Sequence, residues 1–222
     1  MRHFHEQLQD LLQKIVMMGT ITESMIQSAV TGLVKRNDAL FVDVFNRENE
    51  VNRLQVEVDD RAVKLTALQQ PMAQDVRFLF MASRIGGELE RIADQAINIC
   101  QNSRHVLDAP PMRPLVELPI MADVAQKMVR DSLSAMIQRD VNVAAVVLEE
   151  EKKVDAFRNQ IFSTLLDMMK QDATAIDRSL SLILIARNLE RIGDHATNVA
   201  EEVIYWIQGR DVRHTKGQAQ AI

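Results

Sequence analysis

"ELERIADQAIN" at residues 88–98 and "NLERIGDHATN" at residues 188–198 spell Glu-Arg-Ile-x-Asp twice, one hundred positions apart. In both copies the apolar residues recur every three to four positions, so each is one face of an amphipathic helix. Phe78, Ala82, Ile85, Leu89, Ile92 and Ala96 line one narrow stripe, and Leu182, Ile185, Leu189, Ile192, Ala196 and Val203 line another. A second set of matches lies upstream: Met18, Met25, Leu33, Glu48 and Val51 pair with Met121, Met128, Met136, Glu151 and Val154 at a constant shift of 103. The two shifts differ by three, which one small insertion near a turn produces. A fixed internal period marks a duplicated unit, and the sequence predicts two tandem, pseudo-symmetric, antiparallel three-helix bundles in an all-α fold.

The punctuation divides the chain in the same way. Four of the five prolines fall in "DAPPMRPLVELP", residues 108–119, where the loss of backbone donors forbids a continuous helix. This predicts a first bundle over 1–107, a linker over 108–119, a second bundle over 120–209 and a frayed tail over 210–222. Within the bundles, helices are expected near 3–34, 36–68, 72–106, 117–137, 140–171 and 175–208. Pro71 is expected in the first turn of the third helix, and "TAID" (174–177) reads as a capping box for the sixth.

Composition narrows the function classes. The 222 residues are 47% hydrophobic and 26% charged, with seven Gly and only 4% aromatics, the profile of a helix-rich globular protein. The single cysteine, Cys100, excludes an intramolecular disulfide and a cysteine-rich zinc site within one chain; its place on the apolar side of its helix assigns it to the core. The twelve Met mostly belong to the apolar stripes and fill the core. A net charge of -5 without a clustered basic stripe argues against nucleic acid as the main ligand. "MRHFHEQLQD" lacks the basic end and apolar run of a signal peptide. No apolar stretch is long enough to cross a bilayer. Together these predict a cytoplasmic location.

The repeated acids are the candidate site. Glu90 and Asp94, and again Glu190 and Asp194, are four apart and share a helix face off the core stripe. The preceding helix of the second half carries Glu151 and Asp155 at the same spacing. A hairpin turning at 172–173 sets Glu151 level with Asp194 and Asp155 with Glu190, so that four carboxylates converge. A turn near Pro71 sets Glu48 level with Asp94 and Asn52 with Glu90, giving three carboxylates and an amide. Grouped carboxylates raise one another's pKa or hold a cation, and oxygen-rich sets suit iron, manganese, magnesium, calcium or zinc. Against this stands an ordinary solvated face of mixed charge, with Arg91 and Arg191 beside the acids. His195 sits about 100° around the helix from Asp194 and is expected at the surface rather than as a ligand.

"QQPMAQDVRFLFMASRIGGELERIADQAINI" (69–99) and "LILIARNLERIGDHATNVAEEV" (182–203), in a duplicated three-helix arrangement, resemble the PhoU family of phosphate-signalling regulators. The resemblance covers the chain apart from its tail. It implies a protein without catalytic activity, an adaptor between the ATPase subunit of a phosphate ABC transporter and a phosphate sensor histidine kinase. Such an adaptor keeps the phosphate-starvation response off when phosphate is plentiful, is a homodimer, and reaches the membrane through its partners only. It also implies multinuclear iron or zinc clusters on E/DxxxD motifs, which correspond here to Glu48 with Asn52, Glu90 with Asp94, Glu151 with Asp155, and Glu190 with Asp194. Asn52 departs from that pattern, since an amide brings no negative charge, and Gln69 stands where the family often has Arg. Two other classes compete: a carboxylate-bridged metal enzyme, for which the Glu-x-x-His motif is missing at the sites, and a plain helical scaffold docking a basic partner through its acidic faces.

Overall fold

Six long helices and one short 3-10 turn make up the computed structural model, which describes residues 2–69, 71–110 and 116–213. The helices are α1 (Arg2–Val34), α2 (Ala39–Gln69), α3 (Ala73–Leu107), α4 (Glu117–Gln138), α5 (Val141–Gln171) and α6 (Ile176–Gln208), with the 3-10 turn at Ala173–Ala175. No strand occurs among the described residues. Helices α1–α3 form one antiparallel bundle and α4–α6 the other, as the period predicts.

The duplication extends to the turns. Arg36 and Arg139, 103 apart, both end their helices in the left-handed region, at φ 51° and 53°. Behind them the N–H of Asn37 bonds the carbonyl of Gly32, and that of Asp140 bonds the carbonyl of Ala135, the same six-to-one closure that satisfies the orphan carbonyls of a helix end. The side chains of Asn37 and Asp140 then accept from the N–H of Ala39 and Asn142, opening α2 and α5. Both motif stripes are in the core: Ile85, Leu89, Ile92, Ala96, Ile185, Leu189, Ile192 and Ala196 are all fully buried. Cys100 is fully buried as expected, and burial pushes its thiol up to about 12.

The bundles meet through their counterparts. Helix α3 packs on α6 and α1 on α4, and these are the closest approaches between the bundles. Partners run in reverse order: Phe78 with Trp206, Arg84 with Glu202 and Glu88 with Asn198 along α3 and α6, and Glu23 with Arg130 along α1 and α4. Antiparallel contact between equivalent helices is the signature of a two-fold axis. The register sets the motif's two isoleucines, Ile92 and Ile192, level with each other near that axis. The result is one continuous hydrophobic core through both bundles. At the α1–α4 contact the helices approach so closely that a Cβ on Gly19 would lie 2.1 Å from Cδ1 of Leu133.

Several expectations at the edges are corrected. Helix α4 begins at Glu117, so the linker ends three residues before Pro119; that proline falls in the first turn, whose N–H groups have no helical acceptor in any case. Residues 111–115 of the linker lie outside the described residues. Pro71 precedes α3 rather than opening it, with Met72 as the N-cap. The capping box at 174–177 does not form, because Asp172 takes the backbone N–H of Thr174 and caps the 3-10 turn instead. The tail is ordered at its start: beyond Gly209, at φ 67°, Arg213 returns to α6, 3.0 Å from Glu202 and over the Tyr205 ring. Residues 214–222 lie outside the described residues.

Candidate functional site: two acidic hairpin faces

The hairpin between α2 and α3 has the register that the sequence predicts. Ser83 donates to Asp59, and a Cβ on Gly86 would lie 3.5 Å from Val58, so residue i of α2 lies level with about 142 − i. Glu48 therefore lies level with Asp94, and Asn52 with Glu90. All four are half-buried on the flank of the bundle. Burial, then the charges of Asp94 and Glu48, hold the Glu90 carboxyl above its ordinary value, although Arg91 and His195 pull it down. The Asn52 Oδ1 is shut off from solvent and receives no hydrogen bond. A buried carbonyl oxygen without a donor is costly, and an acidic neighbourhood offers it none.

The second bundle repeats this hairpin. Arg158 pairs with Glu190 at 2.9 Å, and a Cβ on Gly193 would lie 3.4 Å from Val154, so i lies level with about 347 − i, within two positions of the predicted 345 − i and equivalent to the approach of Gly86 to Val58 once the offsets of 103 and 100 are added. Arg158 reaches Glu190 from about one turn beyond Asp155. The four acids remain within electrostatic range. Desolvation and then Glu190, Glu151 and Asp155 raise the Asp194 carboxyl, with a small opposing pull from His195. Asp194 is the one exposed member; Glu151, Asp155 and Glu190 are half-buried.

Neither face is a closed cage. Among the described residues no three His, Cys, Asp or Glu side chains converge tightly enough to hold a metal ion as they stand. The donor chemistry nevertheless fits a hard cation. Each face gathers half-buried carboxylates that repel one another, the first adds an amide oxygen lacking a donor, and the second already holds a stand-in cation, the Arg158 guanidinium, on Glu190.

His195 is not at the surface as expected. Its side chain is 16% exposed and its Nδ1 lies 2.7 Å from Oε2 of Glu88 across the bundle interface. An ionised carboxylate only accepts, so Nδ1 carries the proton. Asn198 donates to the same oxygen at 3.0 Å. Burial alone would raise the Glu88 carboxyl, but the two hydrogen bonds and the charges of His195 and Arg91 leave it lowered. A second link lies two turns away, where nearly buried Glu202 accepts from both Arg84 and Arg213. The sequence alone missed both links. The only signal was that His195 breaks the near-identity of the repeat, facing Gln95 in the first copy.

The PhoU domain model matches the chain twice, over residues 15–103 and 118–203, one match for each bundle. The chain belongs to the PhoU family. Among its PhoU relatives, a protein of Zymomonas mobilis named phosphate-specific transport system accessory protein PhoU homolog is 35% identical over 97% of this chain and 91% of its own length. The Escherichia coli phosphate-specific transport system accessory protein PhoU is 30% identical over 96% of this chain and 89% of its own. The crystal structure of PhoU from Pseudomonas aeruginosa superposes with a TM-score of 0.90 at 32% identity, covering 93% of this chain and all of that one. A phosphate transport system regulatory protein PhoU from Streptococcus pneumoniae, 20% identical over 94% of this chain and 99% of its own, shares the fold with a TM-score of 0.88. PhoU is a family of accessory, regulatory proteins rather than enzymes, which removes the carboxylate-bridged oxidase from consideration. No described helix is long and apolar enough to cross a membrane.

Proposed function

We propose that this protein is an accessory regulator of phosphate-specific transport. It acts as a cytoplasmic adaptor between the ATPase subunit of the transporter and a phosphate sensor histidine kinase, and holds the phosphate-starvation response off when phosphate is plentiful. The observation that carries this reading is the paired PhoU match over both bundles, together with nearly full-length relatives named as accessory proteins of the phosphate-specific transport system. The protein works as a homodimer and reaches the membrane only through its partners. Deleting it in phosphate-rich medium derepresses phosphate-starvation reporters, and affinity capture from membranes recovers transporter and kinase subunits. Unchanged reporter output in the deletion strain would reassign it to another transporter.

The acidic faces bind metal in this reading, with iron or zinc as the first candidates and other divalent cations as alternatives. Glu48, Asn52, Glu90 and Asp94 supply the first set, and Glu151, Asp155, Glu190 and Asp194 the second. A bound cation neutralises the repulsion within each set and cross-links the two helices of a hairpin. A metal-independent scaffold is the competing reading, favoured by the Arg158–Glu190 ion pair, which already neutralises part of the second face. Elemental analysis of purified protein, compared with partner capture by the Glu90→Gln and Asp194→Asn variants, separates the two. Loss of metal with loss of capture supports the first, whereas capture unaffected by metal loss supports the scaffold.

A further inference from the structure

The two acidic faces are not copies, and the difference lies in one residue on each first hairpin helix. Position 158 in α5 corresponds to position 55 in α2, 103 residues earlier. The second bundle has Arg there and the first has Gln. Arg158 places a guanidinium nitrogen 2.9 Å from Oε1 of Glu190, and its Nε is buried without an acceptor. Gln55 turns to Asp59 instead, and Glu90, the counterpart of Glu190, has no ion pair among the described residues. Arg158 and Glu190 both line a groove between α5 and α6 together with Phe162, Ile183, Ala186 and Arg187.

Counting formal charges, the first set carries three carboxylates and a neutral amide, and the second carries four carboxylates and one permanent cation. The second set is richer in ligands, yet its Glu190 is already engaged by a guanidinium. From this we infer that Arg158 is an internal counter-ion that competes with metal for the second acidic set, so that a divalent cation loads there by displacing the guanidinium from Glu190. The inference rests on the metal reading above and adds to it a device in the second bundle alone. Loading converts a neutral Arg–Glu pair into an unpaired cation beside Phe162 and Ile183, so metal occupancy is expressed as a change of charge on that groove. An Arg side chain suits this role because it stays protonated at any pH at which the protein folds.

The test is a zinc(II) titration of the full chain by calorimetry at neutral pH, in an Asp94→Asn background that weakens the first set and isolates the second. Arg158→Gln is expected to tighten zinc at the second set by roughly fivefold, the equivalent of an ion pair near the upper end for partly exposed groups. Arg158→Lys, which keeps the charge, stays near the parent value. In the mirror experiment, Gln55→Arg in an Asp194→Asn background loosens zinc at the first set by a similar factor. Circular dichroism confirms that each variant folds. In the diamagnetic zinc complex, the NMR signal of Arg158 Nε–H shifts as the second set fills. If Arg158→Gln binds zinc with unchanged or weaker affinity, Arg158 is no competitor and the inference fails while the metal reading stands. If neither parent nor variant binds zinc, manganese(II) or iron(II), the metal reading falls and this inference falls with it.

Discussion

Removing the Glu88 carboxylate should loosen one bundle from the other. In Glu88→Ala the Nδ1–H of His195 and the amide of Asn198 lose an acceptor that each now holds, at 2.7 and 3.0 Å. With the Glu88 side chain only 16% exposed, water replaces that acceptor poorly. A hydrogen bond to a charged group contributes about 1.5–3 kcal/mol, and discounting for partial access the loss should be about 2 kcal/mol. For a chain of this size that corresponds to a fall in Tm of roughly 4–8 °C. His195→Ala should cost somewhat less, and the double variant less than the sum, with a coupling energy of about 1 kcal/mol or more. The pH dependence follows from the lowered Glu88 carboxyl. A carboxylate with a depressed folded-state value binds its proton more readily when unfolded, so its stabilisation is present above its ordinary value near 4.5 and is lost as pH falls through the lowered one. The gap in Tm between parent and Glu88→Ala should therefore close as pH falls through the lowered Glu88 value. The assay is thermal denaturation by circular dichroism as a function of pH. Strict additivity of the two single variants, or a Tm within 1 °C of the parent, would refute the link.

Other outcomes are expected from the same structure. Gly32→Ala sets a methyl 2.3 Å from the Phe41 ring and 3.0 Å from the Asn37 carbonyl; since Phe41 is fully buried, it should cost about 1–3 kcal/mol in urea denaturation. Gly87→Ala meets nothing within 4 Å and should instead stabilise α3 by roughly 0.5–1 kcal/mol. In metal-free protein Asp194→Asn relieves repulsion from Glu190 one turn away and should raise Tm by about 1–2 °C at neutral pH, from a gain of about 0.2–0.5 kcal/mol. That gain should vanish as pH falls through the raised Asp194 value, where the parent also becomes neutral. Asn52→Asp should tighten metal at the first set, read by calorimetry, because the amide oxygen becomes a fourth carboxylate.

The fold was legible because it is written twice. Period and offset alone give six helices, and the stripes from Phe78 to Ala96 and from Leu182 to Val203 name the core faces, since burial on one side of a helix leaves a 3.6-residue signature. The ends were less so. Arg36 and Arg139 close their helices in a left-handed conformation usually left to Gly or Asn, and no composition rule announces that. The facing of α2 on α3 was legible as well, because a tight connection between two helices leaves the register little freedom. In the second face the part not legible was the Arg158–Glu190 ion pair, because a long side chain reaches across from a neighbouring turn. The links through Glu88 and Glu202 were hidden because they join helices more than one hundred residues apart, and a pattern along one helix says nothing of what lies across another.

The approximate two-fold axis through Ile92 and Ile192 fixes what kind of protein the fused chain can be. Two separate identical copies meeting about such an axis would show every substitution twice: a histidine at one end of the seam would oblige a histidine at the other, and both acidic faces would have the same ligands. Joining the copies in one polypeptide removes that obligation. His195 stands opposite Glu88 while its counterpart is Gln95, Arg158 pairs with Glu190 on one face while Gln55 turns to Asp59 on the other, and Asn52 has no amide twin. A single chain thus carries two faces of the same architecture with different side chains, something a dimer of half-length copies could not encode.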